Sequence, residues 1–222
     1  MAYLLEFRPS KLPANILAPP YVILGIQGES VAEMLPPQIP LNAVLHFIPK
    51  LVQFVLPQPT NLPPKVAQGA LRVPRVGLDI RLDIGIASLQ RIILKVLQSA
   101  GRPVSNCAFR LPPSTITSLS VRKTWLLFEL PRAGLHGLYV HLQSHLMAGA
   151  PVNFEQMETL WAAFPPESDM LRAMFVNFIQ SHLMFHYSRA EFQTIQKWYL
   201  IDTTRRRLFE SIVARFPAFG KL

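Results

Sequence analysis

The residues in this 222-residue chain with types suited to chemistry are few: six histidines, one cysteine, a thin set of acids and some serines. His141/His145 and His182/His186 stand four apart, which places two imidazoles on one helix face, within reach of a metal. Two such pairs would supply four ligands. Their neighbours favour packing instead. His141 and His145 flank the Leu138–Leu142 stripe, His182 recurs with Phe178 and Phe185, and the chain has no H-E-x-x-H. Glu155 and Glu158 lie one turn apart like a pair of catalytic acids, but they open a predicted helix, where the positive end of the dipole favours carboxylates. Ser88, Ser168 and Ser188 precede apolar-periodic stretches and read as helix caps rather than nucleophiles, and no G-x-S-x-G occurs. Cys107 stands alone, with no activating partner near it in sequence. It excludes an intrachain disulfide and suits a reducing compartment. Arg205, Arg206 and Arg207 form the only basic run of three. Leu208, Ile212 and Val213 follow at helical spacing, so the run is expected on the exposed side of a final helix as a basic patch. It falls short of the roughly five to eight residues usual for a targeting or phosphate-binding run. No catalytic residue, metal or cofactor is assigned.

The elements that would position these residues centre on Val76–Gly101. Val76, Leu78, Ile80, Leu82 and Ile84 alternate with Asp79, Arg81 and Asp83, the period of a half-buried strand. The period then changes: Leu89, Ile92, Ile93, Val96 and Leu97 make one stripe of an amphipathic helix, with Ser88 as its expected cap and Gly101 followed by Pro103 as its stop. Upstream, residues 1–74 hold thirteen of the 21 prolines. Tyr21–Gln27 reads as a short apolar strand. Leu41–Leu56 is apolar nearly all round and is split by Pro49 into two short helices. Val66–Arg72 reads as a helical turn or two. Beyond a basic loop, Arg102–Ser118, only helices are expected: Val121–Leu130, Gly134–Met147, one capped by Asn153 through Phe164, one capped by Ser168 over Asp169–Phe185, Arg189–Leu200 after Ser188, and a last one from Asp202 or Thr203 to Arg215.

The formal charge of +9 is unevenly spread. Residues 1–64 carry three basic and three acidic side chains, residues 65–132 eleven and three, and residues 133–222 eight and seven, so the balance is 0, +8 and +1. An excess of this kind attracts phosphates or acidic proteins. Only Phe109, Trp125 and Phe128 are aromatic in the basic third, too few for stacking on single strands. Nucleic-acid binding by 65–132 is the alternative function, expected to be weak and independent of sequence. The apolar runs are too short to span a bilayer, and Met1–Phe7 has no basic n-region or small-residue cleavage site, so no membrane partner is expected. The expected location is intracellular, cytoplasmic or nuclear.

The order of elements resembles the BTB/POZ domain, in the divergent versions common in fungal proteins, over roughly Tyr21–Leu200. Tyr21–Gln27 is similar to the family's early sheet. Ala43-Val44-Leu45 followed by Ile48-Pro49-Lys50-Leu51 is similar to its first helix and junction with the second. Val76–Ile84 and Ser88–Leu97 resemble its third strand and third helix, and Trp125–Leu146 its helical hairpin. Ser168-Asp169-Met170-Leu171-Arg172 resembles a D-x-L-R run in the helices that follow fungal members. Where the family often has an acidic residue and a histidine forming a charged pocket, this chain has Pro20-Tyr21 and Leu41-Asn42. Arg102–Ser118 contains no glutamate, so the hydrophobic-x-glutamate motif of members that recruit cullin-type ubiquitin ligases is missing. The resemblance implies an α+β fold: a small sheet flanked by a helical cluster over 1–150, with an all-helical C-terminal extension over 151–222. It implies a non-catalytic protein–protein interaction and oligomerisation module, its partner another protein or a second copy. Leu41, Val44, Leu45, Phe47, Ile48 and Phe54, on the segment without a polar back, are the expected interface.

The packing reading of the histidines makes a direct prediction. Chelation leaves thermal melting unchanged; stoichiometric zinc by elemental analysis, with a lower Tm on its removal, would show the histidine pairs to be ligands.

Overall fold

Tyr21–Ile26 (β1) is the strand on which every other strand assembles in the computed structural model, which describes residues 4–57, 74–104 and 113–219. Cys107 and the turn expected at Val66–Arg72 lie outside the described residues. Arg75–Ile80 (β4) pairs parallel with β1 along its whole length, Tyr21 opposite Arg75 through Ile26 opposite Ile80. Glu29–Ser30 (β2) and Ile39–Pro40 (β3) pair antiparallel with the two ends of β1's other edge. The β1–β2 link is two residues, Gln27 and Gly28, both at positive φ (52° and 87°). That geometry matches the right-handed twist of the strands it joins. The Gly28 amide donates to Asp79 Oδ1 at 2.8 Å, so the turn is tied to the neighbouring strand.

The alternation read from sequence holds where pairing exists. Val22 and Leu24 on β1 and Val76, Leu78 and Ile80 on β4 are buried, facing one core. The strand is shorter than its alternating pattern and stops at Ile80 rather than Ile84. Gln27 turns away after Ile26, leaving β4 no partner beyond Ile80; Ile84 is still buried, without being strand. Leu41–Phe47 (α1) and a 3-10 helix, Pro49–Phe54, lie in the connection between β1 and β4. Proline stands at the first position of the second helix, where the missing N–H costs nothing.

Ile86–Ser99 (α2) buries Leu89, Ile92, Ile93, Val96 and Leu97 as their stripe predicts, and Leu94 besides. Its N-cap is Gly85, not Ser88. At its other end Gly101 has φ +83°, the Arg102 amide reaches the Leu97 carbonyl and the Gly101 amide that of Gln98: a Schellman stop.

Thr115–Leu127 (α3) starts six residues before the Val121 expected from sequence, in what reads as loop. Ser114 Oγ accepts the Thr117 amide at 3.2 Å and caps it. Then follow a 3-10 turn at Arg132–Leu135, His136–Ala148 (α4), Phe154–Ala163 (α5), Asp169–Leu183 (α6), Arg189–Ile201 (α7) and Thr203–Val213 (α8). Asn153, Ser168, Ser188 and Asp202 cap the last four, Asn153 with Gln156 and Ser188 with Glu191 as capping boxes. The fold is α+β, a small mixed sheet with helices.

The described residues divide between two compact units, bounded by Met1–Pro113 with Ser120–Gly137 and by Ser114–Leu119 with Leu138–Leu222. The C-terminal run of the second unit begins at Leu138. The reason is that α4 gives Leu142 and Leu146 to the same core as Leu160, Leu171, Phe175 and Phe178. In that second unit Asn177 is buried and spends its whole amide on backbone: Oδ1 accepts the Val152 amide at 2.9 Å, and Nδ2 donates to Leu146 and Ala150 carbonyls. In the first unit Trp125 is fully buried, its Nε1 donating to the Pro131 carbonyl at 2.9 Å. The Glu6 amide donates to the Gly134 carbonyl at 2.9 Å. A methyl on Gly134 would run into the Glu6 carbonyl oxygen and sit 2.5 Å from the Trp125 ring. Both obstacles are fixed, one being backbone and the other a buried indole. Gly134→Ala is therefore expected to destabilise the protein by about 1–3 kcal/mol, the usual cost of overpacking, read as a lower denaturation midpoint. A wild-type midpoint would show that the N-terminal segment is not seated there.

Candidate functional site

α1 and the 3-10 helix after it shape the site. Ala43, Val44, Phe47, Ile48 and Leu51 are buried within their own chain. Of the six expected interface residues, Val44, Phe47 and Ile48 are thus interior, because the segment lies in the β1–β4 connection and packs on the sheet's own core. Leu41, Leu45 and Phe54 are half-buried, and the same segment adds Val52, 62% exposed, and Leu56, 42% exposed. Backbone pairing explains Leu56. Its amide donates to the Gly77 carbonyl at 2.9 Å, Val55 bridges antiparallel to Leu78, and a methyl on Gly77 would come within 2.9 Å of the Leu56 side chain.

Beside Val52 lies an open groove of ≈ 600 Å³, walled by the end of α1, the 3-10 helix, the N-terminal segment at Phe7–Ser10 and the turn Phe128–Pro131. The Phe7 ring packs 4.8 Å from Phe47 and stacks 5.0 Å from Trp125. Glu129 stands at φ +58°. The Leu130 amide bonds the Trp125 carbonyl and the Glu129 amide that of Leu126, so the residue is held left-handed by the stop of α3. From there its carboxylate meets Lys50 Nζ at 2.7 Å, the Glu side chain largely exposed and the Lys largely covered. Ser10 Oγ lies 2.8 Å from His46 Nε2. A serine–histidine contact is the first half of a nucleophilic triad, but both residues are at the surface, and among the described residues no carboxylate bonds the imidazole to orient it. Its effect is to tie the N-terminal segment to α1. Sequence reading missed this groove, since its walls come from positions up to 124 residues apart (Phe7 to Pro131).

The other candidates are resolved by their surroundings. Ser88 is buried, with Oγ 2.7 Å from both the Gly85 carbonyl and Thr124 Oγ1, so no substrate reaches it. Ser168 and Ser188 are caps, and Glu155 and Glu158 are exposed on the opening turns of α5. His182 and His186 do not share a helix: α6 ends at Leu183, and Phe185 turns left-handed at φ +60° before His186. Among the described residues no three His, Cys, Asp or Glu side chains converge as metal ligands.

The basic run is divided too. Arg205 is not on the exposed side but lies over the Trp198 ring at 4.4 Å, a cation–π contact. Arg206 pairs with Glu210 at 2.8 Å, and Arg207 is exposed. In the middle third, Arg81 pairs with Asp79 and Lys123 with Asp83. Arg102 donates to the Pro37 and Gln38 carbonyls, and burial lowers the pKa of Arg91 and of Lys95, the latter partly offset by Glu6. Among the described residues, Arg81, Lys123 and Arg102 are thus each engaged by a neighbouring group. No helix of the described residues is long and apolar enough to cross a membrane. The chain has no significant match among protein-family models, curated proteins or solved structures.

His182 is the group here with a pH consequence. Its ring stacks on Phe192 at 3.9 Å and meets Phe219 at 5.3 Å, and burial lowers its pKa. Folded protein then binds this proton less readily than unfolded chain, whose imidazole titrates near about 6.5. The contribution of the neutral ring is present above that pH and is lost as pH falls through the lower, folded value. Acidification from about pH 7.5 to about pH 5 should lower the Tm of wild type more than that of His182→Phe. Parallel Tm curves would place the ring in solvent.

Proposed function

We propose that this chain is a non-catalytic protein–protein interaction and oligomerisation module of BTB/POZ type. The observation that carries the reading is the apolar surface that, among the described residues, remains open on one segment. Leu41, Leu45 and Phe54 are half-buried, and Val52 and Leu56 are exposed, while Ala43, Val44, Phe47, Ile48 and Leu51 are interior. Apolar patches of this sort on a folded chain mark contact sites. The order of elements supports the reading: an early strand and hairpin, two short helical stretches split at Ile48-Pro49, a further strand, then an amphipathic helix and helices only.

The contact is to a second copy through Leu41, Leu45 and Phe54. Light scattering coupled to size exclusion at high micromolar concentration should give a dimer. Leu45→Asp, whose side chain is only half-buried, should give a monomer with the wild-type circular dichroism spectrum. A wild-type chain that is monomeric at that concentration, or a variant that stays dimeric, overturns this reading.

A further inference from the structure

We infer that the groove beside Val52 is a second docking surface, and that its occupant is a short acidic peptide segment of a partner protein, carrying one bulky apolar side chain. The groove has its own walls and includes none of Leu41, Leu45 or Phe54. Its apolar part is the half-buried Phe7 and exposed Val52 above the buried Phe47 and Leu130, room for one aliphatic or aromatic anchor.

Its charge selects the flanks of that anchor. Arg8 and Lys50 line it against one acid, Glu129. Arg8 is exposed and has no ion pair among the described residues. Lys50 is held by the exposed Glu129 carboxylate at 2.7 Å, a partner that an incoming carboxylate can replace at little cost, because exposed ion pairs are individually weak. One peptide carboxylate meets Arg8 and another takes Lys50 from Glu129. The chain's net formal charge of +9 has the same sign, which speeds encounter with an acidic segment.

Two other occupants fit less well. A second copy in the groove would make a self-complementary contact, bringing Arg8 and Lys50 toward their own images. A nucleic acid would find two cations where tight phosphate binding uses roughly six to ten. The Phe7 ring, moreover, is already packed on Phe47 and Trp125 rather than free to stack.

The test is selection of random dodecapeptides on phage against the whole chain, then fluorescence anisotropy with the synthetic consensus peptide. The expected consensus is an aromatic or aliphatic residue with Asp or Glu on either side. Arg8→Glu and Val52→Asp, both at exposed positions, should each weaken its binding at least tenfold while leaving the circular dichroism spectrum and the oligomeric state unchanged. Affinity should fall as salt rises. Neutral or basic consensus peptides, no enrichment, or an acidic consensus whose binding neither variant weakens would each overturn the inference. Because Leu45→Asp should alter self-association and leave peptide binding intact, the groove and the dimer surface fail separately. A dimer lost on Val52→Asp would put a second copy in the groove and overturn the acidic-peptide assignment.

Discussion

The parallel pairing of β1 with β4 is the constraint on which the first unit depends. Six residue pairs join segments about fifty positions apart, and a parallel pair cannot be closed by a tight turn; it needs a crossover. α1 and the 3-10 helix lie in that crossover. Their apolar character on nearly every side follows from the position: one side packs on the inner face of the sheet, where Val22, Leu24, Val76, Leu78 and Ile80 stand. The strand turn at Gln27-Gly28, secured to Asp79, sets where the pairing stops.

What the crossover leaves outward is the basis of the functional reading. Val44, Phe47, Ile48 and Leu51 supply the core, and the neighbouring Leu41, Leu45, Val52, Phe54 and Leu56 retain access to solvent. The groove beside Val52 exists because two distant segments are fastened there by backbone. Glu6 bonds Gly134, and the left-handed Glu129 ends α3 where its carboxylate meets Lys50. Steric closeness at Gly134 and the buried Trp125 pack that assembly tightly.

Several polar residues drawn away from solvent are occupied by structure. Asn177 satisfies three backbone groups in the second unit, and Ser88 shares a buried hydroxyl contact with Thr124. Tyr187 donates to the Val152 carbonyl at 2.7 Å, and burial pushes its pKa up to about 12. Arg205 lies on Trp198. Each is a buried or half-buried polar group with a partner, which is the condition for leaving water without a large penalty.

Local patterns in the sequence determined much of this architecture. The alternation at Val76–Ile80, the stripe from Leu89 to Leu97, the stop at Gly101, the break at Pro49 and the caps at Asn153, Ser168 and Ser188 all act within a turn or two, so they are legible without neighbours. Of Asp202 and Thr203, the structure selects Asp202 as the last cap. Tertiary structure decided the rest. Ile84 alternates correctly but is not strand, because β1 has already turned. His186 falls four residues after His182 yet leaves the helix at Phe185, since a left-handed stop carries no hydrophobic signature. The sequence named Leu41–Leu56 as apolar all round, but which of its residues face inward depended on a strand fifty positions away. The groove combined residues near 8, 50 and 129, whose separation along the chain hides their proximity. Burial and charge pairing are sums over such distant neighbours, and periodicity within one element does not contain them.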